Sequence, residues 1–381
     1  MTGPTVSPSL GGVILGGGYA SRMGRCKLLL PLEERTALEH AVHTMRQSGI
    51  EHIIVVSGHY EKEMRSSVEA LGAISVHNPR YDEGMFSSVQ AGLAALPPSV
   101  EACFLLPGDI PLVKESTYRK LLEGRKPETS LIIPAFRGKT GHPPLFEASL
   151  VPSILNWKGE EGLRGAFQAF APEPLLVPVT DQAILLDMDT PEDYEQLQVY
   201  AERRGLPTEE ECLALWDLAE TPENVRLHCR TVQAGVVILA MELLGKGYSL
   251  NVERLATAAL LHDISKGQAS HAKRGAAFLE DHGYASLAPL VAHHMDLPEK
   301  LSPQTALEEE ILYCVDKLVE DTSYMPLEKR REMKKACFKG RPEALKAMER
   351  KMQRAEKIQN ALEEKIGKSL ESMLGGIHPW A

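Results

Sequence analysis

The hydrophobic pattern changes character once along this chain. From Gly12 to about Leu197, short apolar runs alternate with longer mixed segments, as they do in repeated βα units. The runs that predict strands are GVIL, HIIVVS, ISVHN, ACFLLP, LIIPAF and AILLDM. Helical patterns such as TALEHAVHTMRQSG and SSVQAGLAAL lie between them. This alternation predicts an α/β domain in which helices cover a mostly parallel sheet.

After Leu197 the pattern is helical throughout. Long periodicities of three and four residues follow Pro207, with little clustering of β-branched residues, and predict an all-α region. From Pro342 onward, apolar residues recur among many Lys and Glu residues. This predicts an amphipathic helix packed on its neighbour, with a dimerising coiled coil as the alternative. The predicted segments are a first domain over residues 10–198, a linker over 199–212, a second domain over 213–330 and a helical extension over 331–381.

Composition narrows the class of protein. The 381 residues are 43% hydrophobic and 25% charged, which is typical of folded globular proteins. A formal net charge of -10 disfavours nucleic acid as a partner. The six cysteines are widely scattered without a CxxC pair, so we expect reduced thiols. Because no stretch has the pattern of a signal peptide or a membrane span, the expectation is a cytoplasmic protein that does not act at a membrane.

A glycine-rich loop follows the first predicted strand. It contains Gly16, Gly17 and Gly18. Without side chains, such a loop can bring backbone amides close to a phosphate, although a tight structural turn would also explain the glycines. Arg22 and Lys27 add two positive charges, which suits a triphosphate. The loop lacks the GK[ST] ending of a Walker A motif, and Ser21 stands where the dinucleotide fingerprint needs glycine.

These residues carry a family resemblance. LGGGYASRMGRCKLLLPL resembles the signature of the molybdenum-cofactor nucleotidyltransferases, and ordered matches continue through NPRYDEGMFSSVQAGL, LLPGDIPLV, GHPPLF, EEGLRGAF and LDMDTPEDY. The resemblance implies a doubly wound, Rossmann-like fold in which the glycines, Arg22 and Lys27 hold the nucleoside triphosphate. It places Gly84, Ser87 and Ser88 at the base and ribose. EGMFSS followed by GHPPLF resembles the cytidylyl-transferring branch, which implies CTP, although LGGG replaces the usual LAAG.

Candidate carboxylates follow the predicted strands. Asp109 ends the apolar run ACFLLPGD, and the carboxyl ends of parallel strands line the ligand crevice of open α/β sheets. A carboxylate there can hold Mg2+, and the resemblance makes Asp109 the ligand of that ion. Asp189 is either a second carboxylate near the metal or the N-cap of the following helix. His142 either faces an acceptor pterin or is a structural turn residue.

A second set of candidate metal ligands lies in the helical region. It consists of His228, His262, Asp263, His271, His293, His294 and Asp316. Histidine and carboxylate together bind divalent metals, and open coordination positions allow such metals to activate water. The pair His262 and Asp263 ends an apolar run, and Asp316 lies within ILYCVDKLV, where an unpaired carboxylate would be costly to bury. The pattern therefore predicts a metal centre.

This order of residues resembles the HD superfamily of metal-dependent phosphohydrolases. His228 matches the first histidine, His262 and Asp263 the pair that names the superfamily, and Asp316 the last carboxylate. The HDISK, HAKRGAAFL and AHHMDL segments resemble the two-metal branch, which adds the remaining histidines as ligands and Lys266 as a phosphate contact. Some members place a glutamate where Asn224 stands here. The resemblance implies one or two divalent transition metals such as Fe or Mn.

The leading hypothesis is a bifunctional enzyme. It would transfer CMP from CTP to a molybdopterin-type cofactor with release of pyrophosphate, and carry an HD phosphohydrolase whose substrate the sequence does not identify. A molybdoenzyme apo-protein is a further implied partner. One alternative is a nucleotidyltransferase that acts on a sugar or alcohol phosphate. The other is a non-catalytic cofactor carrier or insertion chaperone with a regulatory HD domain.

Overall fold

The computed structural model describes residues 9–18 and 24–379. The chain divides into two compact units, Met1–Arg204 and Gly205–Ala381. At the junction, residues 203–208 are the segment outside helices, which is shorter than the predicted linker over 199–212. The reason is local, because Thr208 and Glu211 form a capping box that begins the next helix within the predicted linker.

The first unit is built on one large sheet. Its strands are β1 (Leu10–Gly16), β2 (Pro31–Leu32), β3 (Arg35–Thr36), β4 (His52–Ser57), β5 (Ile74–His77), β6 (Ala102–Pro107), β7 (Leu131–Phe136), β8 (Lys139–Thr140), β9 (Leu145–Glu147) and β10 (Leu175–Val179). Among the described residues the strand order is β10-β7-β9-β6-β1-β4-β5, with β8 paired to β7 and the short pair β2-β3 separate. Strand β9 is antiparallel to β6 and β7, whereas β1, β4, β5 and β6 are mutually parallel. The prediction of a mostly parallel, doubly wound α/β fold is confirmed.

Helices connect and cover these strands. They are α1 (Ala37–Gln47), α2 (Glu61–Ala70), α3 (Met85–Ala94), α4 (Glu115–Glu123), α5 (Val151–Leu155), α6 (Gly162–Phe170) and α7 (Pro191–Glu202). Helix α3 packs closely on the central strands, since a Cβ added to Gly92 would lie 2.4 Å from Val13 Cγ1 and 2.8 Å from Val56 Cγ2. This close approach fixes the N-terminus of α3 beside the loop that follows β1.

Five of the six runs that predicted strands form strands, and AILLDM does not. Gln182–Leu185 is a 3-10 helix, because the Asp181 side chain accepts a hydrogen bond from the Ala183 amide and starts a turn. The strand that precedes it, β10, lies at the edge of the sheet. It contains Pro178, which an edge strand tolerates but which weakens the strand signal in the sequence.

The second unit is helical. Its helices are α8 (Glu209–Leu218), α9 (Glu223–Gly245), α10 (Val252–Leu261), α11 (His271–Asp281), α12 (Ala288–His293), α13 (Ala306–Leu318), α14 (Leu327–Cys337), α15 (Pro342–Ile366) and α16 (Leu370–Leu374). A two-residue strand pair, β11 (Val319–Glu320) with β12 (Ser323–Tyr324), follows α13. Helix α9 is long and apolar enough to cross a membrane by length and composition alone. Half of its most apolar window is buried within the unit, which is the normal condition of a core helix.

The C-terminal helices belong to the core of this unit. The predicted amphipathic helix is confirmed as α15, and its apolar stripe is buried from Met348 to Ile366. Leu370 and Leu374 of α16 continue the same hydrophobic cluster, which also contains residues of α9, α10 and α13. Residues 331–381 were predicted as an extension, yet much of that segment completes the hydrophobic core.

Candidate functional sites

Lys27 lies between two of the candidate carboxylates in the first unit. Its Nζ is 2.6 Å from Asp189 Oδ1 and 3.9 Å from Asp109 Oδ2. Asp109 lies just beyond the end of β6, Lys27 opens a 3-10 turn after the glycine-rich loop, and Asp189 precedes α7. Three segments that are distant in the sequence therefore bring one cation and two carboxylates together at the carboxyl end of the parallel strands.

A third carboxylate, Asp187, joins this cluster. Burial raises the pKa of Asp109, the Lys27 charge opposes that rise, and Asp189 and Asp187 add to it. Burial likewise raises the pKa of Asp187, with further repulsion from Asp189 and Asp193. Sequence reasoning missed Asp187, although LDMD carried the signal. In an extended chain, residues two positions apart face the same side, so Asp187 and Asp189 share one side while the intervening Met188 is fully buried.

The alternative role of Asp189 as a helix N-cap is wrong. Thr190 is the N-cap of α7, and its side chain forms a capping box with Asp193. The Asp193 carboxylate accepts a hydrogen bond from the Thr190 amide at 2.9 Å. Asp189 is consequently left beside Lys27, with its side chain about half exposed.

The glycine-rich loop approaches α3 closely. A Cβ added to Gly17 would lie 2.5 Å from Ser88 Oγ, and one added to Gly16 would lie 2.8 Å from Met64 Cε. Packing therefore disfavours a side chain most strongly at Gly17, whereas the nearest atom at Gly16 is the end of a flexible side chain. Around Gly18, by contrast, no described heavy atom lies within 4 Å of an added Cβ. Arg22 lies outside the described residues.

Ser87 and Ser88 are buried beneath this loop. Asn78 Nδ2 donates hydrogen bonds to Ser87 Oγ at 2.8 Å and to Ser88 Oγ at 3.0 Å. Ser87 Oγ also lies 2.7 Å from the Arg80 carbonyl and 2.8 Å from the Gly84 carbonyl. Gly84 has a φ of 101° and serves as the N-cap residue of α3. These hydrogen bonds hold residues 78–84 against the N-terminus of α3, and Asn78 is a supporting residue that sequence reasoning missed.

A cavity of about 630 Å³ opens next to this helix terminus. Residues of four of the matched sequence segments line it, among them Met85, Leu105, His142 and Leu163. Burial lowers the pKa of His142, so its imidazole is neutral at pH 7. Its Nδ1 is buried and has no hydrogen-bond partner among the described residues. The structure thus places His142 in a largely apolar pocket of suitable size for a small organic ligand.

In the second unit, the candidate ligands converge from four helices and one turn. His228 is on α9, His271 begins α11, His294 follows α12, and Asp316 is on α13. The pair His262 and Asp263 follows the end of α10. The two residues of this pair and His294 are almost completely buried. The helical pattern of the sequence brings together groups that are up to 88 residues apart.

Distances within this group are those of a metal site. Asp316 Oδ1 lies 3.4 Å from both His228 Nε2 and His262 Nε2. Asp263 Oδ1 lies 3.2 Å from His271 Nε2 and 3.4 Å from His294 Nε2. Two overlapping sets of ligand atoms, each within 4.8 Å of one another, are His228, His262 and Asp316, and His262, Asp263 and His294. We call these residues together with His271 the metal group.

The histidine ring orientations favour a cation. Nδ1 of His262 lies 2.7 Å from the Ala259 carbonyl, and Nδ1 of His294 lies 2.7 Å from the Val291 carbonyl. Because a carbonyl only accepts, each Nδ1 carries a proton, and each Nε2 faces the centre. These two Nε2 atoms, His271 Nε2 and Asp263 Oδ1 are buried without hydrogen-bond partners among the described residues. Nitrogen and carboxylate oxygen atoms that face one another in this way fit the ligands of a divalent metal. The backbone carbonyls orient the histidine rings that would hold it.

Electrostatics support the same conclusion. Burial alone would raise the pKa of Asp263, but the surrounding histidines hold it far below its usual range. Burial would also raise the pKa of Asp316, and Lys317 and two histidines reverse that effect. Both carboxylates are therefore ionised at neutral pH and available as ligands. Lys266, the predicted phosphate contact, is half exposed and places Nζ within hydrogen-bond distance of Asp263 Oδ2.

The prediction that His293 joins the metal group differs from the structure. Its Nδ1 forms a short hydrogen bond with the buried carboxylate of Glu309 on α13. Successive helical residues point about 100° apart, and at the end of α12 His294 faces the metal group while His293 turns to Glu309. Among the described residues, no measured contact joins His293 to the metal group. Glu309, which the sequence did not single out, is its partner.

Comparison with known proteins gives both units a family. Residues 12–174 match the MobA-like NTP transferase domain, and residues 225–321 match the HD domain. The chain is 30% identical over 183 residues to the molybdenum cofactor cytidylyltransferase of Escherichia coli, covering 48% of this chain and 92% of that protein. It is also 37% identical over 111 residues to a molybdenum cofactor guanylyltransferase of Xanthomonas euvesicatoria, covering 29% of this chain and 52% of that protein.

The chain is also similar to two further proteins. The bifunctional protein GlmU of Corynebacterium aurimucosum is 30% identical over 127 residues, which are 32% of this chain and 26% of that protein. A crystal structure of Rv0371c from Mycobacterium tuberculosis in complex with manganese is 25% identical, covers 51% of this chain and 100% of that one, and has a TM-score of 0.42. The chain therefore belongs to the MobA-like NTP transferase family of nucleotidyltransferases and carries an HD domain in its C-terminal half.

Proposed function

We propose that the first unit transfers CMP from CTP to a molybdopterin-type molybdenum cofactor. The observation that carries the proposal is the cluster of Lys27, Asp109, Asp187 and Asp189 beside a glycine-rich loop. The 30% identity to a cytidylyltransferase over 92% of its length favours this donor and acceptor. In the reaction, a phosphate oxygen of the acceptor would form a bond to the α-phosphorus of CTP as the bond to pyrophosphate breaks.

The residues of the first unit suit this transfer. Gly18, whose added Cβ would meet no described atom within 4 Å, leaves room for phosphates at the loop, and Lys27 supplies a cation where phosphate charge accumulates. The three carboxylates include exposed oxygens, which suits Mg2+ because that ion retains several water ligands. When bound, Mg2+ neutralises phosphate charge and assists the departure of pyrophosphate. Asp189 would hold the Lys27 ammonium next to Asp109, and the pocket at His142 would receive the pterin.

We propose that the second unit is an HD phosphohydrolase with one or two divalent transition metals such as Fe or Mn. The metal group would hold them, as its unpaired Nε2 atoms and ionised carboxylates indicate. Such metals, when bound, activate water and neutralise phosphate. Lys266, half exposed at the rim, would contact the phosphate. A cytoplasmic location and a molybdoenzyme apo-protein as recipient of the dinucleotide cofactor belong to the same proposal.

Pyrophosphate release tests the first activity. Pyrophosphate release by the purified protein with Mg2+ and molybdenum cofactor is measured with CTP, GTP, ATP or UTP as the donor. Asp109→Asn serves as the inactive control. Release with CTP alone, and none from the variant, is expected. Release only with a sugar or alcohol phosphate as acceptor would favour the alternative of a nucleotidyltransferase for such phosphates. Tight cofactor binding without release from any nucleotide would instead favour the carrier.

Phosphate release tests the second activity. Protein loaded with Mn2+ or Fe2+ is assayed with an aliphatic phosphate monoester, and Asp263→Ala is the control. The variant should lose both metal and hydrolysis while its pyrophosphate release stays unchanged. Asp109→Asn should have the opposite effects. A folded single-site variant that lost both activities would contradict two independent sites.

A further inference from the structure

A second cavity, of about 640 Å³, lies over the metal group. His228, Asp263, His271 and Asp316 line one side of it. Much of the rest of its wall lies beyond residues 225–321, the segment that matches the HD domain. That wall contains a charged and an aromatic side chain of the α14 segment, Lys334 and Phe338, and apolar side chains of α15. The cavity at the metal group is therefore completed by the C-terminal helices.

The position of α14 relative to the metal group is fixed. Arg330 Nη1 donates hydrogen bonds to the carbonyls of Asp316, Lys317 and Val319, at 3.3, 3.1 and 2.6 Å. One of these carbonyls belongs to a residue of the metal group itself. On the other side of α14, Arg331 forms ion pairs with Glu349 and Glu356 of α15. The helix is thus anchored at both sides, and the residues that it presents to the cavity have defined places.

Lys334 differs from its neighbours in lacking a partner. Arg330, Arg331 and Lys335 all pair with carboxylates, whereas Lys334 has no ion pair or side-chain hydrogen bond among the described residues. It is half-buried and lines the cavity. An ammonium that lines a cavity without a counterion can bind an anionic ligand. The next residue, Lys335, pairs with Glu349 and lines a different surface groove, which makes it a matched control.

The apolar part of the wall suits a flat ring. Phe338 follows Lys334 by four residues and so lies on the same side of the helix. Met295 and, from α15, Met348 and Met352 line the cavity with it. Aromatic and thioether side chains pack favourably against aromatic rings. A volume of 640 Å³ also accommodates a ligand of nucleotide size.

We propose that Lys334 and Phe338 determine the substrate specificity of the HD site, and that the substrate is a phosphate monoester of the nucleoside monophosphate class. Lys334 binds the phosphate together with the metal group, and Phe338 packs against the base. Water would add to phosphorus as the ester P–O bond breaks, and its proton would pass to the leaving oxygen, giving a nucleoside and inorganic phosphate. This inference rests on the proposed phosphohydrolase function.

Binding and turnover are measured separately in the full metal-loaded chain. Equilibrium dialysis with a non-hydrolysable phosphonate analogue of AMP reports binding, and phosphate release from AMP and from glycerol phosphate reports turnover. For Lys334→Gln we expect about tenfold weaker analogue binding and a similar rise in KM for both esters, with kcat little changed. Phe338→Ala should weaken binding of the analogue and raise KM for AMP severalfold but leave glycerol phosphate unaffected. Lys335→Gln should match the wild type in analogue binding and in KM for both esters. Because the first unit is unchanged in this variant, it also controls for nucleotide that the first unit binds.

The outcomes separate the two proposals. Equal analogue binding by Lys334→Gln and Lys335→Gln, or equal effects of Phe338→Ala on AMP and glycerol phosphate, would overturn the specificity assignment. Normal metal content and lysine-dependent analogue binding without hydrolysis of either ester would instead reject the hydrolase and retain the pocket. All variants are checked for metal content and thermal unfolding, so that a folding defect is recognised as such.

Discussion

The contact between the glycine-rich loop and α3 allows a quantitative prediction. In Gly17→Ala, the new Cβ would lie 2.5 Å from Ser88 Oγ, a separation that folded proteins essentially never show. Ser88 cannot retreat freely, because it is buried and its Oγ accepts a hydrogen bond from Asn78 at 3.0 Å. Overpacking of this kind costs about 1–3 kcal/mol. For a unit of this size, that lowers the unfolding temperature by about 2–12 °C.

A second substitution tests the cause. Without Ser88 Oγ, the nearest atom to the added Cβ is Ser88 Cβ at 3.5 Å, an ordinary van der Waals contact. Ser88→Ala alone should cost about 1 kcal/mol for the lost hydrogen bond. The double variant should then be more stable than the sum of the single effects by about 1–2 kcal/mol. Gly18→Ala is the control, since no described atom lies within 4 Å of its Cβ.

Calorimetry of the full chain measures these effects. The transition of the first unit is identified as the one that Gly92→Ala lowers, because that Cβ would clash with Val13 and Val56 in the core of this unit. The double-mutant cycle gives the interaction energy between residues 17 and 88. Gly17→Ala with wild-type stability, or strictly additive single effects, would refute the packing argument. Gly18→Ala should unfold normally yet weaken nucleotide binding, because its methyl group would enter the space assigned to phosphates.

Three further predictions concern the histidines and the metals. His294→Ala should lower the metal content of the HD unit, whereas Glu309→Gln, which removes the partner of His293, should not; elemental analysis distinguishes them. Burial lowers the pKa of His142 in the folded chain. As the pH falls below about 6.5, the unfolded chain therefore binds a proton at His142 before the folded chain does, and the free energy of unfolding of the first unit should decrease. Urea titrations at pH 5.5 and 7.5 should show a smaller decrease in the free energy of unfolding for His142→Gln than for the wild type. An equal decrease in both proteins would contradict the prediction. Chelation should lower the unfolding temperature of the HD unit, since a metal at a hundredfold its dissociation constant contributes about 2.7 kcal/mol; equal stability with and without metal would argue against a site in the native state.

The hydrophobic pattern predicted most of the fold because its signals are local. ACFLLP and LIIPAF correspond to strands β6 and β7 residue for residue. The pattern failed at AILLDM, where a single side chain, Asp181, converts an apolar run into a turn. It also could not show that β10 is a strand, because pairing with β7 is a tertiary interaction that supports a run containing proline.

The candidate sites were predictable in composition but not in geometry. The metal group contains the histidines and aspartates that the sequence singled out, except that adjacent His293 points elsewhere to Glu309. Ligand chemistry can be recognised from residue types, whereas the choice between neighbouring histidines depends on helix rotation. Asp187 was missed for a similar reason, since its role depends on the burial of Met188. The sequence contained no signal for Lys334, because a lysine without an ionic partner can be recognised only from the positions of its neighbours in the structure.

The burial of α15 and α16 has a consequence for how the chain is made and handled. A fragment that stopped at residue 330 would contain every residue of the metal group and the whole segment matched to the HD domain, yet it would expose the surface that Ile358, Leu362 and Leu370 cover. During synthesis, the helices that carry the metal group would leave the ribosome before the helices that cover them. The first unit, by contrast, has all its strands in place once residue 179 has been made. We expect it to fold while translation continues, and the HD unit to become protease-resistant only near the end of synthesis.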